Sequence, residues 1–276
     1  MNIAFIREVG LLKFLRRKAL RQCYEGVLKR DHGMLLPTGE WMNLPIGDLF
    51  ASEAYITNGD VDWGSERLLF SLLTKRGAFF DIGAHIGYYS LYMLPRATEV
   101  YAFEPDPKAR VLLDNNVGSN PKIHVLPLAA GAKPGRARFT LEPDSAISHF
   151  ANEYDDPAKI IAIDVVTLDN FVRTRGITVE AIKIDVEGHD TEVIQGALNV
   201  LNDQHPIVLT EAKPEAALFA LTRKVGYRVF AFVMKGQTPR KLFAELVPDK
   251  PIPGLTKMLF LVPPPLAKRF ESLVSH

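Results

Sequence analysis

The chain has 276 residues, 47% of them apolar, and 33 basic against 32 acidic side chains give it a net charge of +1. That length supports one main domain with attachments around a substantial core, and the near-neutral charge excludes a polyanion-coating protein and gives no reason to expect a nucleic-acid partner. Cys23 is the only cysteine, which excludes an internal disulfide or a cysteine-rich metal site. With no apolar run long enough to span a bilayer, cytoplasmic residence is expected.

The first 30 residues differ from the remainder. Arg7, Lys13, Arg16, Arg17, Lys18, Arg21, Lys29 and Arg30 face only Glu8 and Glu25, a local balance of +6. Leu11, Leu12, Leu15, Ala19 and Leu20 recur at helical spacing beside those charges. The pattern suits a helix packed on the domain with its basic face solvated better than it suits peripheral contact with an anionic membrane or a polyanionic partner. Met1 to Phe5 is mildly apolar, but Arg7 and Glu8 interrupt it and no small-residue cleavage site follows. Residues 33–44 predict a hairpin turning at Pro37-Thr38-Gly39-Glu40, and an irregular, aromatic-bearing piece runs on through Tyr55 and Trp63. Residues 1–64 thus read as an N-terminal extension, basic helix plus hairpin, that packs on or caps a domain of residues 65–276. Ser65 is placed to cap a helix carrying Glu66, Leu68, Leu69, Phe70, Leu72 and Leu73 and ending at Gly77.

Strands are predicted near 78–82, 99–103, 122–127, 181–185 and 206–211, with helices between the first pairs, the alternation of a doubly wound parallel α/β sheet. Arg136 to Leu141 and Ile160 to Val165 predict further strands around a polar loop. Tyr227 to Val233 and Met258 to Val262 predict a closing antiparallel pair.

The first strand breaks at Asp81-Ile82-Gly83-Ala84-His85-Ile86-Gly87 before a helix. Gly83 and Gly87 permit backbone angles and close approaches that a side chain blocks, and Asp81 at the carboxyl end of its strand faces the crevice where open α/β sheets bind ligands. One βαβ unit later a second apolar strand ends in Glu104, whose carboxylate can accept both hydroxyls of a ribose. A dinucleotide fingerprint requires glycine where Asp81 stands, and a carboxylate there repels a diphosphate. It attracts an ammonium group instead. An amino-acid ammonium and an adenosine ribose coexist in S-adenosylmethionine, the cofactor these two acids favour; an NAD(P)-dependent oxidoreductase is the alternative.

Ala181-Ile182-Lys183-Ile184-Asp185-Val186-Glu187-Gly188-His189-Asp190 again brings charge to a strand end. In an extended segment Asp185 and Glu187 point the same way, across the crevice from Asp81, and two carboxylates there can supply a general base or a metal site. His189 reads as a surface residue, and Asp190 as favouring the next helix's amino end.

These residues resemble the FkbM family of methyltransferases, through Asp81 to Gly87, Phe103-Glu104-Pro105, Asn116 and Asn120, Val166-Thr167-Leu168-Asp169, and Lys183 to Gly188, with Glu211 ending the next strand. The resemblance spans about residues 60–212 and differs from the family pattern at His85 and at His189-Asp190, where Asn and Ala-Glu are more usual. It implies a class I methyltransferase fold, a Rossmann-like, mostly parallel seven-stranded sheet with helices on both faces, and O-methylation of a sugar, glycan or secondary metabolite. It further implies that Asp81 and the Gly83, Ala84, His85 and Gly87 backbone hold the methionine end of S-adenosylmethionine. Glu104 and Pro105 would lie at the ribose, Ala129 and Ala130 at the adenine, and Asp185 near the donor methyl. Glu187 becomes the candidate base toward the acceptor hydroxyl. By analogy with magnesium-using sugar methyltransferases, Asp185, Glu187 and Glu211 form a candidate site for a divalent ion. The loop Glu142 to Lys159, with Ser145, Ser148, His149, Asn152 and Tyr154, and the piece around Trp41, Tyr55 and Trp63 are candidates to cover the acceptor. A non-catalytic binding module on the same fold, working through the basic N-terminus, is the remaining alternative.

Overall fold

The structure is a computed structural model that describes residues 10–142, 148–235, 241–248, 250–252 and 254–274. Arg7, Glu8, the Met1 to Phe5 segment and Ser145 lie outside the described residues.

Helix α1 (Leu11–Gln22) runs into a wider turn at Cys23–Leu28, followed by hairpin strands β1 (His32–Leu35) and β2 (Trp41–Leu44) and by helices α2 (Leu49–Thr57) and α3 (Ser65–Leu72). The sheet then begins with β3 (Ala78–Ile82), α4 (Tyr88–Met93), β4 (Val100–Phe103), α5 (Pro107–Val117) and β5 (Ile123–Leu126). A layer follows of β6 (Leu128–Ala130), β7 (Gly135–Thr140), β8 (His149–Phe150) and β9 (Ile160–Val166). The chain returns through α6 (Leu168–Arg175), β10 (Val179–Ile184), α7 (Asp190–Gln195), α8 (Leu198–Gln204), β11 (Ile207–Thr210) and α9 (Ala216–Lys224). It closes with β12 (Arg228–Met234), β13 (Lys241–Leu246), β14 (Leu255–Val262) and α10 (Ala267–Glu271).

The main sheet has the order β13-β12-β14-β11-β10-β3-β4-β5. Its five strands from β11 to β5 pair in parallel, and β14 runs antiparallel to both β11 and β12. The class is the expected one. The sheet has eight strands rather than seven because Lys241–Leu246 adds an antiparallel edge to β12, burying Phe243 in a ring stack 6.0 Å from Phe230. Arg136 to Leu141 and Ile160 to Val165 are strands as predicted, but they belong to a second, four-stranded sheet of order β6-β9-β7-β8.

The central strands are buried on both faces, as a parallel sheet flanked by helices requires. Successive residues enter different cores: Phe79, Ala181 and Leu209 join one, while Phe80, Ile182 and Val208 join the other. The first core is completed by the extension, through Met34, Leu36, Met42, Leu44, Ala51 and Ala54. The hairpin therefore covers the sheet. It is fastened by Asn116, whose Oδ1 accepts from Asn43 N at 2.7 Å while Nδ2 donates to the Ile86 carbonyl at 2.8 Å. Two other positions of the resemblance tie helices together. Thr167 caps α6, and Asp169 accepts from Asn199 and Val200 at the start of α8. Asn120 acts locally, accepting from Lys122 N.

Two local expectations are corrected. Gly64, at φ 94°, occupies the cap position of α3, and Ser65 is its first residue, its N–H donating to the Asp62 carbonyl at 2.9 Å; the helix stops at Leu72. Helix α1 packs on the domain, but not by its leucines: Phe14 and Arg21 are buried, whereas Leu11, Leu12, Leu15 and Leu20 are exposed. The Arg21 guanidinium donates to the Leu44 carbonyl at 3.1 Å, the Pro45 carbonyl at 2.5 Å and Ser52 Oγ at 3.0 Å, and pairs with Glu25 at 2.8 Å. A buried cation is tolerated when so many acceptors surround it. No helix among the described residues is long and apolar enough to cross a membrane.

Beneath the extension, Glu66 is fully buried and accepts from Asp62 N at 3.1 Å and Tyr88 OH at 3.2 Å. Burial, reinforced by Asp62 and Asp60, pushes its carboxyl up to about 8. The unfolded chain ionises this group near 4.5 and the folded chain near 8, so stability falls as pH rises between those values. Glu66→Gln, which keeps the neutral form's shape, should raise the melting temperature relative to wild type by a margin that grows from about pH 5 to about pH 9. Melting curves for the two proteins that stay parallel over that range would contradict this.

Candidate active site

The chain order reverses between β3 and β10: from β3 the sheet grows through β4 to β5, then resumes on the other side with β10 and β11. Side chains and loops leaving the carboxyl ends of β3 and β10 therefore diverge around a crevice, where ligands bind in sheets of this kind. A cavity of about 240 Å³ opens there, reaching Gly83, Ala84, His85, Glu104, Pro105, Ala129, Ala130, Lys183, Asp185, Glu187 and Glu211.

Gly83 has φ 75°, and a Cβ on it would lie 1.9 Å from the Asp185 carbonyl oxygen. Only glycine lets the turn after β3 cross so close to the segment after β10. Gly87, at φ 89°, does not reach the cavity; its absent Cβ makes room for Leu113, 2.6 Å away. His85 holds φ 49° and places its Nε2 3.4 Å from Asp48, the residue that caps α2, so the turn is tied to the extension.

Asp81 does not line the cavity. It is completely buried beneath the turn, where Oδ2 accepts from Ser90 Oγ at 2.7 Å and Oδ1 faces Lys183 Nζ at 3.8 Å. Burial raises its pKa, against the pull of Lys183 and Ser90. Lys183 is a site residue that the reading of strand ends passes over. Its ammonium, buried within β10, donates to the Gly83 carbonyl at 2.7 Å and lies 3.4 Å from Asp185 Oδ2. Burial works to lower the Lys183 pKa, but Asp185 and Asp81 outweigh it and hold the charge. The signal for it in the sequence is a lone lysine inside an otherwise apolar central strand, a residue type almost never buried unless paired.

Glu104 sits at the end of β4. Its Oε2 accepts from His85 N at 2.7 Å and its Oε1 from Asp106 N at 2.9 Å, which leaves each oxygen further acceptor capacity. Burial pushes its carboxyl up to about 7, over the opposing effect of those two N–H groups. Phe103, Pro105, Leu128, Ala129 and Ala130 give this end of the cavity apolar walls.

Strand β10 stops at Ile184, so the alternation expected for Asp185 and Glu187 does not hold. Glu187 instead adopts φ 50°, a left-handed conformation that costs a non-glycine residue and is met with at functional sites. The turn still brings it back to the cavity, and oxygens of Asp185, Glu187 and Glu211 all lie within 4.8 Å of one another. Their electrostatics differ. Burial would raise Asp185, but Lys183 and hydrogen bonds from Glu211 and Lys183 hold it below the usual range. Burial and then Asp185 push Glu211 up to about 9, and the same two causes, with Asp190, raise Glu187. The trio thus contains an ionised acid, a protonated acid and one whose pKa is raised.

His189 packs its ring 4.6 Å from Phe150, and the neighbouring Asp190 is buried, accepting from Thr210 Oγ1 at 2.9 Å; neither reaches the cavity. Of the loop from Glu142 to Lys159, Ser148 and Phe150 line the cavity, whereas His149 and Asn152 are engaged with Asp155 and Tyr154 is 89% exposed. Trp41, Tyr55 and Trp63 do not line it. The extension contributes Phe50, Glu53, Val61 and Asp62 instead. Opposite them Lys257, at the start of β14, meets Glu53 at 3.0 Å, Asp62 at 3.3 Å and the Val61 carbonyl at 2.9 Å.

The Methyltransferase FkbM domain matches residues 81–229. The hexuronic acid methyltransferase AglP of Haloferax volcanii is 26% identical over 144 residues, covering 52% of this chain and 59% of that protein, so the match spans little more than half of the relative's length. Among solved structures, the methyltransferase FkbM of Methylobacillus flagellatus is 16% identical with a TM-score of 0.42, over 76% of this chain and 52% of that one. The Pyrococcus abyssi tRNA (uracil-54, C5)-methyltransferase is 14% identical with a TM-score of 0.42, over 79% of this chain and 44% of that one. With the family domain spanning more than half of its residues, from the turn at Asp81 to the strand at Val229, the chain belongs to the FkbM methyltransferase family.

Proposed function

We propose that the protein transfers the methyl group of S-adenosylmethionine to a hydroxyl oxygen of a sugar or glycan. The observation that carries this is the arrangement of acids around one cavity: a buried carboxyl with spare acceptor capacity at one end, and three carboxyls of unequal acidity at the other. Membership of a methyltransferase family sets the nicotinamide alternative aside. The name of the Haloferax volcanii relative supports a sugar acceptor. We take residues 1–64 as a cap on a catalytic domain of residues 65–276, with Phe50 to Asp62 forming one wall of the acceptor space.

The residues fit the cofactor by the chemistry of their donor set. Glu104 would accept the ribose hydroxyls, and Ala129 and Ala130 would flank the adenine. With Asp81 withdrawn beneath the turn, Asp185 is the ionised acid that faces the cavity and meets the ammonium; Asp81 acts through Lys183 as a positioning residue. When bound, S-adenosylmethionine supplies an electrophilic methyl on a sulfonium. The protein's part is to hold an acceptor oxygen in line and to take its proton. Glu187 is suited to proton removal because its raised pKa makes it a stronger base than Asp185, and it is already held in a costly backbone conformation at the cavity. Glu211, protonated at neutral pH, donates its one proton to Asp185 and so fixes that carboxylate at the cavity.

A magnesium ion on Asp185, Glu187 and Glu211 fits less well. Lys183 already stands 3.4 Å from Asp185 as its countercharge.

Glu187→Gln should keep its affinity for S-adenosylhomocysteine and lose about 10² to 10⁴ in methyl transfer, measured with labelled donor against a panel of sugars and lipid-linked glycans. Undiminished transfer would remove Glu187 from the chemistry. Because Glu104 titrates near 7, cofactor affinity should weaken as pH falls through about 7, when the protonated carboxyl loses acceptor capacity. Calorimetry should show that dependence flattened in Glu104→Gln, and a flat wild-type profile from about pH 6 to about pH 8 would contradict it.

A further inference from the structure

Exposed apolar side chains are not spread evenly over this protein. Of the fourteen large ones that stand exposed among the described residues, ten lie between Leu11 and Leu49. Scattered single exposures are ordinary on any surface, but a concentration within one short segment marks an interaction site.

Helix α1 shows how the concentration arises. At 100° per residue, Leu11, Leu15, Ala19 and Leu12 share one side, while Phe14, Arg17 and Arg21 share the opposite side, which packs on the domain. Among the described residues the outward leucines are left largely uncovered: Leu12 is 83% exposed, Leu11 53% and Leu15 47%. Basic residues rim them. Residues 10–30 hold seven basic side chains and one acid, Glu25, which is committed to Arg21. Lys13, Arg16 and Lys29 are exposed and have no acidic partner among the described residues. On the neighbouring hairpin, Leu35 and Trp41 are cross-strand partners and both are more than 60% exposed, the Trp41 ring resting over Gly33.

An apolar stripe rimmed by lysine and arginine, with an exposed tryptophan on the hairpin that follows, has the chemistry of a surface that lies in the headgroup region of a bilayer. We infer that α1 and the hairpin dock the protein on an anionic membrane surface. Charge selects this occupant over a second copy of the chain, because a symmetric pairing through the stripe would bring together the Arg16 and Lys18 that flank it on both copies, whereas lipid phosphates neutralise them. The consequence reaches the active site. Arg17 donates to the Tyr55 carbonyl and Arg21 to Ser52, so α1 is fastened to α2, and α2 carries Phe50 and Glu53 on the cavity wall. Docking through α1 therefore engages a segment fastened directly to the wall of the cavity.

The test is flotation of the full chain with vesicles of phosphatidylcholine alone and of phosphatidylcholine mixed with phosphatidylglycerol. The expected result is binding to the anionic vesicles only, released at about 1 M salt, where screening shortens the reach of the charges to ~3 Å. The double variant Leu12→Glu, Leu15→Glu should bind anionic vesicles at least about tenfold more weakly, with melting temperature and S-adenosylhomocysteine affinity unchanged. Failure of the wild-type chain to float with anionic vesicles overturns the inference, as does equal binding by the variant. A wild-type dimer in light scattering that the same variant dissociates would assign the stripe to a second copy instead.

Discussion

The Lys183 ammonium, buried at the floor of the cavity between two strands, is the contact on which the rest of the site depends. It bonds the carbonyl of Gly83 and stands between Asp81 and Asp185, so that one cation joins the turn after β3 to the turn after β10. Each group needs the others. Two carboxylates facing each other across a buried crevice would repel, and a lysine buried without them would lose its proton. Removing one partner from a buried charged cluster typically costs about 3 to 5 kcal/mol, because the remaining charge is left uncompensated. The close crossing of Gly83 over the Asp185 carbonyl, which no side chain would permit, belongs to the same constraint.

From that junction the acid gradient follows. Lys183 holds Asp185 ionised; burial first, and the ionised Asp185 after it, keep the proton on Glu211 and raise Glu187. The extension completes the arrangement from the other side, with Asp48 reaching His85 in the turn and Glu53 and Asp62 engaging Lys257. The cavity is lined by segments far apart in sequence, from Phe50 to Met258.

Much of this was legible in the sequence. Strand ends carry their own signals, an apolar run stopped by acid and glycine, and the strands of the central sheet lie within a residue or two of where composition puts them. Asp185, Glu187 and Glu211 converge as their positions at neighbouring strand ends suggest. What could not be read were the long-range contacts. Asp81 looks like a ligand-facing acid until the lysine of another strand is seen opposite it. The leucines of α1 look like a packing face until the buried Arg21, satisfied by the Leu44 and Pro45 carbonyls, is found holding the opposite side. Trp41 and Tyr55 suggest a sugar platform, yet Trp41 lies on Gly33 and Tyr55 pairs with Arg17, while the less conspicuous Phe50 lines the cavity. Amphipathic spacing shows that a helix has two faces; it does not say which of them the rest of the chain can satisfy.

The central claim is that Lys183 assembles the cofactor end of the site, and calorimetry of S-adenosylhomocysteine binding to Lys183→Met tests it most directly. The account predicts a cooperatively folded variant whose affinity falls at least about 100-fold, with part of the loss recovered when Asp81→Asn removes the carboxylate left unpaired. A folded Lys183→Met protein that binds S-adenosylhomocysteine as tightly as wild type would contradict it.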